Sequence, residues 1–289
     1  MTNSVKSALF AMTTVFIWSS AFPLTKVATE YIEPNALGLL RCTIASVMLL
    51  IIGKICRIRL PQNWRHTGLF LVSGGLGFSL YMISFNSGML TLSSAIGSLV
   101  IATVPVLTAV GATVLYKEKI KTIGWISIGT AFAGVCVLLL WGGEVTIGEG
   151  IAWIWCAAFV FCAYNLMNRK LLSMGYTAIE CVTWSMIAGA LWLLPFTGDA
   201  IMQASATPLS TLAVVLYLGI MPSATAYLLW SKAFALVEKT SEVTNYQFTT
   251  PLISTVLGFI ILGEVPGIST LVGGIIIVAS IVVFGIKGR

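Results

Sequence analysis

Charge is scarce in this chain. Of its 289 residues, 9% are charged and 58% are hydrophobic, whereas an average soluble domain is about 25% charged. Such a chain cannot coat a globular surface in water. That excludes a soluble enzyme, a nucleic-acid binder and a secreted disulfide scaffold. Histidine is nearly absent too. His66 stands alone, so no multi-histidine metal site can form, and its place at the mouth of a predicted span reads as interfacial, not as a proton relay. The six cysteines (Cys42, Cys56, Cys136, Cys156, Cys162 and Cys181) include no C-x-x-C pair. Neither a zinc site nor a redox motif is suggested, and a thiol in an apolar run behaves as a small hydrophobe. No P-loop is present, so ATP is not expected as the energy source. No metal, nucleotide or covalent cofactor is called for. The N-terminal apolar stretch has no small-residue cleavage site after a short core, so it reads as a retained first span.

What the chain does have is apolar length. Stretches of about 20 apolar residues recur from end to end, each able to cross a hydrocarbon core roughly 30 Å thick. Ten helices are expected, over 4–28, 34–53, 65–86, 91–116, 121–141, 148–170, 176–197, 207–232, 240–262 and 266–286. This leaves short loops and no second, soluble domain. Several starts carry capping chemistry. Thr146-Ile-Gly-Glu149 and Thr177-Ala-Ile-Glu180 fit a capping box. Thr207-Pro208 places a cap residue before proline, and Glu33-Pro34 puts proline where its missing N–H does no harm. Gly142-Gly143 and Thr197-Gly198-Asp199 read as loops.

The net charge is +6, and its placement is more informative than its size. With the N-terminus inside, fourteen of the sixteen Lys and Arg fall in inner segments. The outer loops hold only Lys26, and Arg41 lies within the second span. Positive charge stays cytoplasmic, so both termini are expected on that side of a bacterial cytoplasmic (inner) membrane, with the chain multi-pass.

The two halves resemble each other. Pro105 and Glu118 recur as Pro251 and Glu264 at an offset of 146. Lys26 aligns with Lys170 at an offset of 144. Five spans per half is an odd number, so the second half enters the membrane in the opposite sense. The expected architecture is an all-α integral membrane protein, with ten transmembrane helices arranged as two inverted five-helix repeats, residues 1–141 and 146–289. Halves related in this way can expose a site between them to alternate sides.

This pattern resembles the drug/metabolite transporter superfamily in its ten-span, EamA-type branch. Trp18-Ser19-Ser20-Ala21-Phe22 resembles the family's first-span stretch, and Leu39-Leu40-Arg41 its second-span segment. Thr103-Val104-Pro105 leading to Glu118, and Thr249-Thr250-Pro251 leading to Leu262-Gly263-Glu264, resemble its proline-to-L-G-E pattern. The first copy departs, with Tyr116-Lys117 in place of Leu-Gly. The resemblance implies a cavity lined mainly by spans 1, 3, 4, 6, 8 and 9, with spans 5 and 10 peripheral. It also implies export of amino acids, related metabolites or drugs.

Polar groups at membrane depth are costly unless paired or lining a wet cavity. Trp18, Ser19, Tyr81, Ser98, Tyr164, Asn165, Tyr227, Asn245, Tyr246 and Gln247 are the candidate substrate-binding residues. Helix–helix hydrogen bonding is the competing reading for the isolated Ser and Thr positions. Pro105 and Pro251 are candidate hinges, or fixed kinks. Arg41 has three readings: a carboxylate holder, a partner for helix C-terminal carbonyls, or a side chain snorkelling to an interface. Glu180 and Glu242 are the candidates for proton coupling, although each also fits a helix-start role. No carboxylate is expected at mid-membrane, which counts against proton exchange at a central glutamate. The function expected is a secondary transporter, an exporter of amino acids or similar small polar metabolites working by alternating access. The alternative is a proton-coupled exporter of drugs or cationic metabolites. Its partners are a small-molecule substrate and the lipid bilayer, as monomer or homodimer, with no nucleic acid.

Overall fold

The computed structural model describes residues 2–117, 121–141 and 148–287, and these are helical throughout apart from short connections. The helical pieces join into rods, labelled here α1 (Asn3–Thr29), α2 (Pro34–Cys56), α3 (Trp64–Met89), α4 (Ser94–Tyr116), α5 (Thr122–Leu140), α6 (Glu149–Ser173), α7 (Ala178–Ala206), α8 (Leu209–Ala235), α9 (240–262) and α10 (Ile268–Lys287). Seven of them, α1 to α4 and α6 to α8, are long and apolar enough to cross a membrane. Large apolar side chains such as Phe16, Val114, Phe159 and Ile275 are exposed on the outside. That is the reverse of a water-soluble surface, and it suits contact with lipid.

The ends of the rods show which local signals operate. Thr177 and Glu180 form the expected capping box at the start of α7. Glu33 is the N-cap of α2, with Pro34 in its first turn. Three expectations need correction. Thr197-Gly198-Asp199 is not a loop: α7 makes one tight turn over Leu194–Phe196 and then continues to Ala206. Pro195 sits in that turn's first positions, where its lost N–H is harmless. Thr207 does not cap α8; Pro208 does, and the Thr207 hydroxyl turns back to the Gln203 carbonyl. Gly148, with no side-chain cap, precedes α6; Thr146, Gly142 and Gly143 lie outside the described residues, as do Glu118, Lys119 and Ile120.

Irregular backbone recurs at matched positions. In α3 a π-helical turn spans Gly75–Leu80, and in α8 another spans Gly219–Thr225. A wide turn of this kind frees carbonyls, and serine hydroxyls reach them. Ser79 donates to the Gly74 carbonyl at 3.4 Å and Ser223 to the Leu218 carbonyl at 2.8 Å. The two serines, and the two carbonyls, are each 144 residues apart. In α4 the helix breaks at Ala102-Thr103 and resumes with Pro105 in its first turn. In α9 a 3₁₀ segment over Asn245–Thr249 leads to Pro251 in the same position. Each proline therefore starts a helical piece, where its missing N–H costs nothing. Both rods end on a left-handed residue, Lys117 at φ 56° and Gly263 at φ 67°.

The packing has the same regularity. α1 packs on α8 and α9, and α6 packs on α3 and α4. α2 packs on α7 and α8, α7 on α2 and α3, and α5 on α10. Exchanging the first five rods for the last five maps this set onto itself. The end contacts give direction. Ser7, at the start of α1, donates to the Ala233 carbonyl at the end of α8. Gly150, at the start of α6, lies against Gly88 and Thr91 at the end of α3. Close approach between α3 and α7 depends on small residues: a Cβ on Gly74 would sit 2.4 Å from the Ser185 carbonyl oxygen, and one on Gly189 2.5 Å from the Phe78 Cβ.

Candidate functional site

Arg41 lies in the interior and is 2% exposed. A guanidinium has five N–H donors and stays charged. Its Nε donates to Ser223 Oγ at 3.2 Å, and its Nη1 to Thr25 Oγ1 at 3.3 Å and Asn86 Oδ1 at 3.2 Å. Asn86 is itself held by donating from Nδ2 to the Pro34 carbonyl at 2.9 Å. Ser223 is placed by the π turn of α8. All three acceptors are neutral. The ion pairs among the described residues lie elsewhere.

Arg41 faces a cavity between the two halves of the chain. Its walls are Trp18, Ala21 and Phe22 of α1, Tyr81 and Phe85 of α3, Ile101 of α4, Phe161 of α6, Tyr227 of α8, and Gln247 and Thr250 of α9. The rings hold one another edge to face: Trp18 meets Phe161 at 5.4 Å and Tyr227 at 5.2 Å, and Phe22 meets Phe85 at 5.1 Å. Trp18 is anchored by its Nε1, which donates to the Pro222 carbonyl at 2.9 Å, the backbone just before Ser223. The Tyr227 hydroxyl donates to the Gly77 carbonyl in the π turn of α3 at 3.2 Å. Gln247 Oε1 is buried with no hydrogen-bond partner. The cavity measures about 20 Å³, room for about one water and too little for an organic substrate. In this conformation the site is closed.

Of the residues expected to bind substrate, Trp18, Tyr81, Tyr227 and Gln247 meet at this cavity, and Arg41 joins them. The others lie elsewhere. Ser19 donates to the Val15 carbonyl, and Ser98 to the Ala95 carbonyl. Tyr164 is buried against Phe78 and Phe161, its hydroxyl without a partner. Asn165 Oδ1 accepts from Trp230 Nε1 at 3.0 Å. Tyr246 packs beside a cluster that includes Trp230 and Val243. The Asn245 side chain lies outside the described ones. Phe85, Phe161 and Asn86 were missed. Phenylalanines carry no polar signal, but a lone amide in the third span was available as a partner for a buried arginine.

Both ends of the bundle are tied across the halves. At one end, Lys26 of α1 pairs with Glu264, whose second oxygen accepts from the Ser94 N–H at the start of α4. A polar hollow of about 240 Å³ lies beside Glu264, bordered by Thr91, Ser93 and Thr255. At the other end, Glu180 accepts from the Arg59 side chain at 2.9 Å and from the Arg59 N–H at 2.8 Å. That carboxylate raises the Arg59 guanidinium further above its ordinary pKa through hydrogen bonding and charge. Glu180 is thus engaged in a cap and a clasp, and Glu242 lies in the first turn of α9. His66 Nδ1 meets the Tyr176 hydroxyl at 2.7 Å. A larger groove of about 410 Å³ between α9 and α10 is apolar and is lined by exposed residues such as Leu252 and Ile275. It faces outward, away from Arg41.

The sequence matches the EamA-like transporter family twice, over residues 5–140 and again over 148–286. The chain belongs to the EamA-like transporter family. It is 30% identical to "Uncharacterized transporter YdfC" of Bacillus subtilis (strain 168), over 92% of this chain and 86% of that one. It is also 30% identical to "Probable terminal-alkyne amino-acid exporter" of Streptantibioticus cattleyicolor, over 93% of this chain and 89% of that one. A crystal structure shares the fold, with a TM-score of 0.69 at 20% identity over 96% of this chain and 97% of the other. This EamA-family chain is accordingly a multi-pass membrane protein, and its relatives are transporters, not enzymes.

Proposed function

We propose that this protein is a secondary transporter that exports amino acids or related small polar metabolites across the cytoplasmic membrane by alternating access. Its lobes are residues 1–141 and 146–289, of opposite orientation, with ten spans and both termini in the cytoplasm. The observation that carries this reading is the central cavity, whose walls come from α1 to α4 on one side and α6, α8 and α9 on the other. The paired π turns, the paired breaks before Pro105 and Pro251, and the self-mapping packing all support two related lobes. Opposite orientation is supported at the Lys26 end. There the end of α1 meets the start of α4 through Glu264, and the end of α3 meets the start of α6. The bias of fourteen Lys and Arg toward one set of loops supports a cytoplasmic side for both termini. The printed name of the Streptantibioticus relative favours an amino-acid substrate. A central cavity of about 20 Å³ needs a conformational change before an organic substrate enters, which suits a carrier and not a pore.

The test is counterflow in proteoliposomes. Vesicles preloaded with one unlabelled amino acid at a time should accumulate the labelled form transiently, at a saturable rate. Flux that rises linearly with concentration and never overshoots would indicate a channel and sink the proposal.

A further inference from the structure

Arg41 is a buried cation that pairs with no carboxylate among the described residues. Its three hydrogen bonds use Nε and both N–H groups of Nη1. No hydrogen bond from Nη2 is formed among the described residues, and the side chain lines the cavity. A buried charge left without its opposite is strongly destabilising. Here the structure holds it in a set orientation with three neutral acceptors and leaves Nη2 unengaged in a side chain that lines the cavity. The group that best complements that nitrogen is an anion such as a carboxylate, which takes a charge-assisted hydrogen bond from a guanidinium N–H.

The rest of the wall narrows the choice. Among the described residues no other basic side chain lines the cavity, so a single negative charge is matched and a phosphate dianion would be left partly uncompensated. No described carboxylate lines it either, so a cationic ligand would meet a like charge and no opposite one there. Six of its eleven lining residues (Trp18, Phe22, Tyr81, Phe85, Phe161 and Tyr227) are aromatic. They favour an apolar body and offer ring faces to an ammonium group. Gln247 Oε1, buried and unpartnered, is a ready acceptor for that ammonium.

We infer that Arg41 anchors the carboxylate of a zwitterionic amino acid with an apolar or aromatic side chain, that Gln247 accepts from its ammonium group, and that cations lacking a carboxylate are refused. The inference rests on the transporter reading only in that the cavity must open to the ligand.

Equilibrium binding to the purified full-length protein in lipid nanodiscs tests it without requiring transport. Labelled L-phenylalanine and L-leucine are the probes. Phenethylamine (no carboxylate) and 3-phenylpropionate (no amine) are the competitors. At least one amino acid should bind, 3-phenylpropionate should compete weakly and phenethylamine should not compete. Arg41→Gln should weaken amino-acid binding on the order of 100-fold, and Arg41→Lys should restore part of it. Gln247→Ala should reduce amino-acid binding while leaving 3-phenylpropionate unchanged. The analogue series on the unaltered protein decides the matter even if an Arg41 variant fails to fold. Competition by phenethylamine equal to that of phenylalanine would overturn the inference. So would unchanged affinity in folded Arg41→Gln, or no binding by either amino acid. Normal counterflow with any of these results would leave the transporter reading standing; carboxylate-dependent binding without counterflow would remove that reading and keep the site.

Discussion

At the scale of single residues, the costliest groups in this protein are those that carry charge inside a low-dielectric bundle. Each is handled differently. Arg41 is surrounded by neutral acceptors, Glu180 is used twice over as cap and ion-pair partner, and Glu264 joins Lys26 to the first turn of α4. The Glu264 arrangement gives a sharp prediction. Its side chain is 17% exposed and that of Lys26 is 27% exposed, so solvent screens the pair only in part. Glu264→Ala removes the partner of a cation and of a backbone N–H together, and should lower stability by about 2 kcal/mol. Lys26→Met should cost less, because Glu264 keeps Ser94. Thermal melts of the purified variants check the order. Equal melting temperatures for Glu264→Ala and the unaltered protein would show that the pair contributes nothing.

Elements in this fold are shaped by their interruptions. Pro222 lies inside the π turn of α8, yet the matching turn of α3 contains no proline. Proline is therefore not what makes these turns. Serine at the same place in both, bonded to the carbonyl five residues back, is the shared feature. The left-handed ends of α4 and α9 form another pair, with different chemistry. Glycine adopts that conformation freely, whereas a residue with a Cβ is strained there. Lys117→Gly should therefore raise stability by about 0.5 to 1 kcal/mol, and Gly263→Ala should lower it by about 1 to 2 kcal/mol. Opposite shifts in melting temperature for the two substitutions would confirm the reading; shifts of the same sign would refute it.

At the scale of the whole molecule, the two clasps and the small cavity belong together. A space of about 20 Å³ admits no substrate, and clasps at both ends hold one half of the chain to the other. In the proposed alternating-access cycle, opening on either side requires a clasp to part. Locking the Lys26–Glu264 end should then stop transport while the folded core survives. In a background without other cysteines, Lys26→Cys and Glu264→Cys joined by a short bis-maleimide should abolish counterflow without lowering the melting temperature below that of the same variant before cross-linking. Counterflow that continues at full rate after cross-linking would show that this end does not move.

Much of this protein was legible before any coordinates. Membrane embedding, the helical rods, the bias of positive charge and the likeness of the two halves all follow from hydropathy, cap residues and spacing. These are local and additive along the chain, so a one-dimensional reading captures them. The continuation of α7 past Gly198 escaped that reading because a single tight turn at Pro195 redirects the helix instead of ending it. The site needed three dimensions for a different reason. Many hydroxyls, amides and rings lie at similar depth, and sequence cannot say which face one another. Packing decided that Ser19 and Ser98 bond back to their own helix, that Asn165 serves Trp230, and that Asn86, Thr25 and Ser223 converge on Arg41. A hydrogen bond depends on distance and angle between groups far apart in sequence, and only the folded bundle sets those.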